Sequence, residues 1–289
     1  MTEPSGRHGS NGLHLNGATI MSTPTDRHIE IARAAGYAGV EVRAERLLDA
    51  PGELRRAASI VRPTEVWSLN GIQVRLRSDG ALDDEALDLE LAPRLEICQA
   101  LGAAYLLIVA PRIAGVGVST ALPSVREGVR RIAERAAAAS IQVAFEFLGF
   151  ADCPIDTPQL AAAVVEGVPG AGLVIDSCHW HAGGGAPLGD FPVDRVAMVH
   201  LNDAPAMPPS EIEDADRLLP GLGVIHLRDL IADLRSRGYA GPWSLETFNP
   251  GYWLRDAGEV AREGMAATMA LLGYVGTAQN RRPTQLTRP

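Results

Sequence analysis

The chain has little that would tie it to a membrane, a cell exterior or a nucleic acid. Its 289 residues include three cysteines, Cys98, Cys153 and Cys178. They are too few and too scattered for a disulfide framework, which points to a reducing cytoplasm. No apolar run approaches the ~20 residues of a membrane-spanning helix. The start, Met1-Thr-Glu-Pro-Ser, lacks the apolar segment of a secretory signal. Basic charge is in deficit, with 26 Lys and Arg against 35 Asp and Glu. A formal charge of -9 disfavours a phosphate backbone or an anionic lipid surface as the main partner. A Gly-rich phosphate loop is missing after the first predicted strand, where Asn16-Gly-Ala-Thr-Ile stands, and this argues against an open dinucleotide-binding sheet. Small molecules are left as the expected partners.

What the chain does have is alternation. Short apolar runs fall at Leu13–Asn16, Gly39–Arg43, Glu65–Leu69, Tyr105–Ala110, Gln142–Glu146, Gly172–Asp176, Ala197–His200 and Trp243–Glu246. Helix-length segments separate them: Pro24–Ala35 before Gly36, Glu53–Val61, Asp84–Leu101, Leu122–Ser140, Thr157–Val165 behind Asp156 as a cap, Leu227–Arg237 before Gly238, and Ala257–Leu272 before Gly273. Repeated strand–helix alternation implies a parallel sheet, and eight strands suit closure into a ring without edges. The expected fold is α/β, a single (β/α)8 TIM barrel over 12–275. Polar tails at 1–11 and 276–289 offer little to bury and are expected to be disordered.

Four of the predicted strands end on a polar residue: Glu146, Asp176, His200 and Glu246. Strand ends of such a barrel meet at its mouth. Three carboxylates and one imidazole there form an oxygen-rich cage for one divalent ion, with Mn²⁺ expected and Mg²⁺, Co²⁺ or Zn²⁺ alternatives. Any one of the four alone could merely cap a strand; four on successive strands point to metal chemistry. A hydroxyketone bound there would have an acidic C–H beside its carbonyl, and the ion would hold the resulting enediolate. Glu146 and Glu246 are the candidates for moving the proton, in an order the residues leave open.

Around this cage, His179 in Asp176-Ser-Cys-His-Trp-His181 reads as a substrate-hydroxyl or proton-shuttle residue, with His181 weaker. Cys178 reads as a small buried side chain rather than a zinc thiolate. The connection from Leu201 to Val224 carries four prolines and is long enough to be a lid. On it, Arg217 is a candidate clamp for substrate or a solvated charge. Asp203 would steer an imidazole, touch substrate or cap the loop. Glu41 and Arg43 alternate onto one face and are expected to pair inside the barrel, with substrate contact as the alternative. Asn16 and Trp67 are candidates for the pocket floor or wall, and Phe248 and Trp253 for its rim.

At these residues the chain resembles the sugar isomerase/epimerase superfamily of xylose-isomerase-like barrels, and within it the inosose (2-keto-myo-inositol) isomerases. The likeness spans nearly all of 13–273. It rests on Leu15-Asn-Gly-Ala-Thr, Gly39-Val-Glu-Val-Arg43, Phe145-Glu-Phe, Ile175-Asp-Ser-Cys-His-Trp-His181, Val199-His-Leu-Asn-Asp203, Asp216-Arg-Leu-Leu-Pro-Gly-Leu-Gly223 and Ser244-Leu-Glu-Thr-Phe-Asn-Pro250. It implies one divalent metal on Glu146, Asp176, His200 and Glu246, the two glutamates as acid and base, and His179 at a polyol ketone or keto-sugar. The chain departs from that pattern with Gly17, where several relatives have glutamate, and with apolar Val109–Ala110, which leaves substrate identity open. A lyase or dehydratase on the same cage is the rival reading, of the 3-keto-glycoside or dehydroshikimate type. An apurinic-site nuclease would need histidines at the ends of the third and fourth strands, where Trp67-Ser-Leu-Asn-Gly71 and Val109-Ala-Pro-Arg112 have none. A phosphorylated substrate is disfavoured, because Asn202-Asp-Ala-Pro and Thr247-Phe-Asn-Pro replace the Gly-rich turns of a phosphate nest. A homo-oligomer is compatible with all of this.

Overall fold

The computed structural model describes residues 12–273, so the expected tails at 1–11 and 276–289 lie outside the described residues. Eight parallel strands close in sequence order into a barrel: β1 Leu13–Asn16, β2 Gly39–Arg43, β3 Val66–Gln73, β4 Tyr105–Val109, β5 Gln142–Glu146, β6 Ala171–Asp176, β7 Val196–Leu201 and β8 Trp243–Leu245. Around it run α1 Thr25–Ala35, α2 Ala44–Asp49, α3 Pro51–Ile60, α4 Asp84–Leu101, α5 Val118–Ala138, α6 Pro158–Val165, α7 Ser177–Ala182, α8 Leu227–Ser236, α9 Pro250–Trp253 and α10 Ala257–Leu272. Among the described residues, no helix is long and apolar enough to cross a membrane.

Most expected elements are present, and the departures have local causes. β3 continues to Gln73 through Asn70-Gly71, a pair that reads as a turn. Here Gly71 serves close approach instead: a Cβ on it would sit 2.8 Å from the Leu107 carbonyl of β4. Thr157, rather than Asp156, caps α6, its side chain accepting from the Leu160 amide. Three helices of four to six residues, α2, α7 and α9, are too short for periodicity to mark.

The strand faces divide the core in two. Outward side chains pack under the helices in one large apolar cluster. The lumen is split: Leu107, Ala144 and Val174 form a small apolar group of their own, while His14, Asn16, Glu41, Ser68, Asn70 and Ser244 are buried polar residues from β1, β2, β3 and β8. Buried polar groups of this kind must find partners. Asn16, Glu41, Ser68 and Asn70 find theirs in one another and in Glu246.

Outside the lumen, Glu53 ties α1, α2 and α3 together. It is 5% exposed and accepts from the Thr25 amide at 2.7 Å, the Thr25 hydroxyl at 2.6 Å and both Arg46 nitrogens that face it. Burial opposes its charge, but these donors outweigh that and hold its pKa below the usual value. A depressed folded pKa stabilises above the unfolded pKa of ~4.3 and is lost as pH falls through the folded value. Glu53→Gln is therefore expected to cost about 1.5–3 kcal/mol at pH 7, the range for hydrogen bonds to a charged group. Urea denaturation should show that gap narrowing as the pH falls below about 4.

The connection after β7 is not structureless. Asp203 and Leu218 form an isolated bridge, and short 3₁₀ turns occur at Pro209–Glu211 and Asp214–Asp216. This segment lies over the barrel mouth, and Arg217 on it is 1% exposed.

Candidate metal centre

Strand register brings the four polar strand ends together. Asp176 and His200 are direct partners across β6 and β7. Glu146 pairs with Val174, two residues before Asp176 and on the same face; His200 pairs with Ser244, two residues before Glu246. One donor atom each from Glu146, Asp176, His200 and Glu246 lies within 4.8 Å of the others. All four are buried, at 4% exposure or less.

Each donor group is aimed by a neighbour. Asp176 Oδ1 accepts the His179 amide at 2.8 Å, capping α7, and Oδ2 accepts Asn202 Nδ2 at 2.6 Å. Asn202 cannot reverse, because its Oδ1 already accepts from the Ser177 hydroxyl and the Cys178 amide. Glu246 Oε1 accepts from Asn16 at 2.8 Å and Asn70 at 3.3 Å, and its Oε2 accepts from Arg217 at 3.0 Å. His200 Nδ1 lies 3.0 Å from Glu146 and 3.1 Å from Glu246, while Nε2 faces Glu41 at 3.1 Å.

The electrostatics are those of like charges crowded in a dry place. Burial pushes Glu146 up to about 7 in spite of His200. Burial would raise Glu246 too, but His200, Arg217 and Arg43 outweigh it and hold that carboxyl well below its usual range. His200 is drawn well above its ordinary value by Glu246, Glu41 and Glu146, although burial alone would lower it. Three carboxylates and one imidazole, dry and preorganised, fit a divalent cation by donor type and by mutual distance.

Beside the four donors lies a cavity of about 200 Å³, lined in part by Arg43, Arg112, Phe150, His179, Arg217 and Phe248. That is below the ~300–1,000 Å³ of pockets for drug-sized ligands, and suits a compact polar molecule. Arg217 NH1 donates to Asp176 at 3.2 Å and to Glu246 at 3.0 Å; NH2 donates to His179 Nε2 at 2.8 Å and forms an ion pair with Asp214 at 2.7 Å. Arginine only donates, so His179 accepts through Nε2 and carries its hydrogen on Nδ1. Burial, with Arg217 next, keeps His179 well below its usual pKa and hence neutral. Arg217 Nε and His179 Nδ1 are buried without a hydrogen-bond partner, so each has unspent donor capacity beside the cavity. The guanidiniums of Arg43 and Arg217 lie over the Phe248 ring, 4.9 and 5.2 Å from its centroid. At the rim, Arg112 spans the lid and the β5–α6 loop, pairing with Glu213 at 3.0 Å and Asp152 at 2.9 Å.

Two expectations are corrected. Asp203 does not face substrate: its carboxylate accepts from the amides of Ala204, Gly221, Gly223 and Ile225, so both oxygens staple the lid's return. Glu41 and Arg43 share a face but do not pair. Glu41, one layer deeper, meets His200, Ser68 and Asn16, while Arg43 pairs with Glu45 at 2.9 Å and approaches Glu246 at 3.7 Å. Trp67 stacks on Tyr105 at 5.1 Å and Trp253 donates to the Ala18 carbonyl; like the half-buried His181, neither lines the cavity. Cys178 is a free, buried thiol. Asn70, Asn202 and the role of Glu41 were missed. The available signal was position: Asn202 follows His200 by two residues, and Asn70 sits in the apolar run of β3.

A family model described as xylose isomerase-like TIM barrel matches residues 29–271. The chain belongs to that family. Inosose isomerase from Bacillus subtilis (strain 168) is 27% identical over 275 residues, covering 89% of this chain and 96% of that protein. Inosose isomerase from Halalkalibacterium halodurans is 32% identical over 136 residues, a match to 46% of this chain and 48% of that protein. A 3-dehydroshikimate dehydratase from Pseudomonas aeruginosa is 29% identical over 88% of this chain, which spans only 41% of that longer protein. Among solved structures, the IolI protein with a bound zinc atom superposes with a TM-score of 0.83 at 23% identity, over 92% of this chain and 99% of that one. That last likeness is one of fold.

Proposed function

We propose that the chain is a divalent-metal-dependent isomerase or epimerase of an inosose or keto-sugar, acting by proton transfer next to a carbonyl. The observation that carries this reading is the buried four-donor group opening onto a small cavity lined by both charged and apolar side chains. Glu146, Asp176, His200 and Glu246 would hold the ion, with Mn²⁺ the expected native metal. When bound there, a divalent cation supplies Lewis acidity that stabilises negative charge developing on a carbonyl oxygen. Proton movement falls to Glu146 and Glu246, the two carboxylates of the group that line the cavity. Without the ion, burial raises Glu146 to about 7 while His200 and Arg217 hold Glu246 low, so the two carboxyls differ in proton affinity, as an acid and base pair requires. His179 and Arg217 would hold substrate hydroxyls, and the lid that carries Arg217 would exclude water. The named relatives support an inosose as substrate, and free buried thiols suit a cytoplasmic setting.

The match to 3-dehydroshikimate dehydratases supports a second reading, in which loss of the same proton ends in elimination of water. One experiment separates the two. Metal-loaded protein is incubated in heavy water with a panel of inososes, ketohexoses, 3-keto-glycosides and dehydroshikimate, and followed by NMR. Deuterium entering next to the carbonyl with no leaving group is the expected result. Release of water or an aglycone would replace isomerisation with lyase chemistry, and a lack of exchange across the panel would remove proton abstraction altogether.

A further inference from the structure

The imidazole of His200 is gripped at both nitrogens. Nδ1 faces Glu146 and Glu246, while Nε2 lies 3.1 Å from Glu41 Oε1. Glu41 is 1% exposed and is not one of the four grouped donors. Its carboxylate is built in from neighbouring strands. Oε2 accepts from the Ser68 hydroxyl at 2.6 Å, and Oε1 accepts from Asn16 Nδ2 at 3.3 Å. Asn16 is locked in this sense, since its Oδ1 accepts the Ala18 amide at 2.9 Å. Its Nδ2 also reaches Glu246 at 2.8 Å, so one amide links Glu41 to the cage.

We propose that Glu41 is a positioning residue of the metal centre, its carboxylate accepting Nε2–H of His200 and thereby presenting the Nδ1 lone pair to a divalent cation shared with Glu146, Asp176 and Glu246. The proposal rests on the metal reading above. Its logic is tautomeric. A neutral imidazole has one donor and one acceptor nitrogen, and an anion that only accepts fixes the hydrogen on the side facing it. The same contact fixes the ring's plane and makes Nδ1 a more basic ligand. Ser68 and Asn16 occupy other lone pairs of Glu41 and keep it from swinging away. A glutamine at 41 keeps the shape but can turn an N–H₂ towards Nε2, which favours the tautomer whose Nδ1 is blocked by hydrogen.

The test measures Zn²⁺ affinity by competition with a chelator for the wild type and Glu41→Gln, with thermal unfolding of both metal-free proteins as the folding control. The expected result is one ion per chain, bound roughly 10–100-fold more weakly by the variant, the usual effect of losing such a partner. Equal affinity in a folded variant overturns the role of Glu41 and leaves the metal reading standing. A wild type that binds no zinc takes both down. Should the variant not fold, ¹⁵N-histidine NMR of the zinc-loaded wild type decides, with His200 assigned through His200→Asn. Hydrogen on Nε2 and zinc on Nδ1 is the expected signature, and the reverse tautomer overturns the proposal.

Discussion

Glu246→Gln is expected to lower turnover by roughly 10²–10⁴-fold, the range for removing a general acid or base. The substitution preserves volume, and the Oε1 that accepts from Asn16 and Asn70 is retained, so the β8 end should stay in place. What disappears is a negative charge that faces His200, Arg217 and the proposed ion. Cation affinity should fall in the same variant, because one of three anionic donors is gone. The rate is measured on whichever ketone of the exchange panel reacts. A variant that exchanges deuterium at near wild-type rate would take Glu246 out of the chemistry.

Arg217→Leu should produce the opposite combination. Its guanidinium occupies Asp176 and Glu246 oxygens that a cation would also claim. Removing a positive charge from beside the cage relieves repulsion, so Zn²⁺ should bind as tightly as in the wild type or more tightly. Yet kcat/KM should drop by about 10²–10³-fold, as when a preorganised donor is lost from a reacting centre. Calorimetric zinc binding and substrate kinetics on the same preparation separate the effects. If zinc affinity fell together with activity, Arg217 would be a support for the cage rather than a clamp for substrate.

The cage was legible in the sequence because of where polarity falls. A glutamate, an aspartate and a histidine each close an apolar run, and the barrel converts a strand end into a place at the mouth. Distances among those ends need register, which the stagger of the strands sets and a linear pattern does not display. Glu41 and Arg43 show that limit: alternation put them on one face correctly, but it does not show what faces them across the ring. His200 reaches Glu41 at 3.1 Å from across the lumen, and Arg43 turns to Glu45 at 2.9 Å instead.

The amides were hidden for a different reason. Asn70 and Asn202 carry no charge and sit among turn-like residues, so each reads as punctuation, and Asn16 reads only as pocket lining. Their function lies in which end of the amide is already spoken for, a fact that only three-dimensional neighbours supply. Asp203 went the other way. A carboxylate three residues beyond His200 invites a chemical role, but the unpaired amides of the returning lid claimed both oxygens.

Anomalous diffraction at the zinc edge, from crystals of the metal-loaded protein, tests the central claim most directly. One peak per chain, within ~2.0–2.2 Å of a donor atom from each of Glu146, Asp176, His200 and Glu246, is the expected result. A peak bound elsewhere, or none at that position in crystals whose solution counterpart carries stoichiometric zinc, would contradict it.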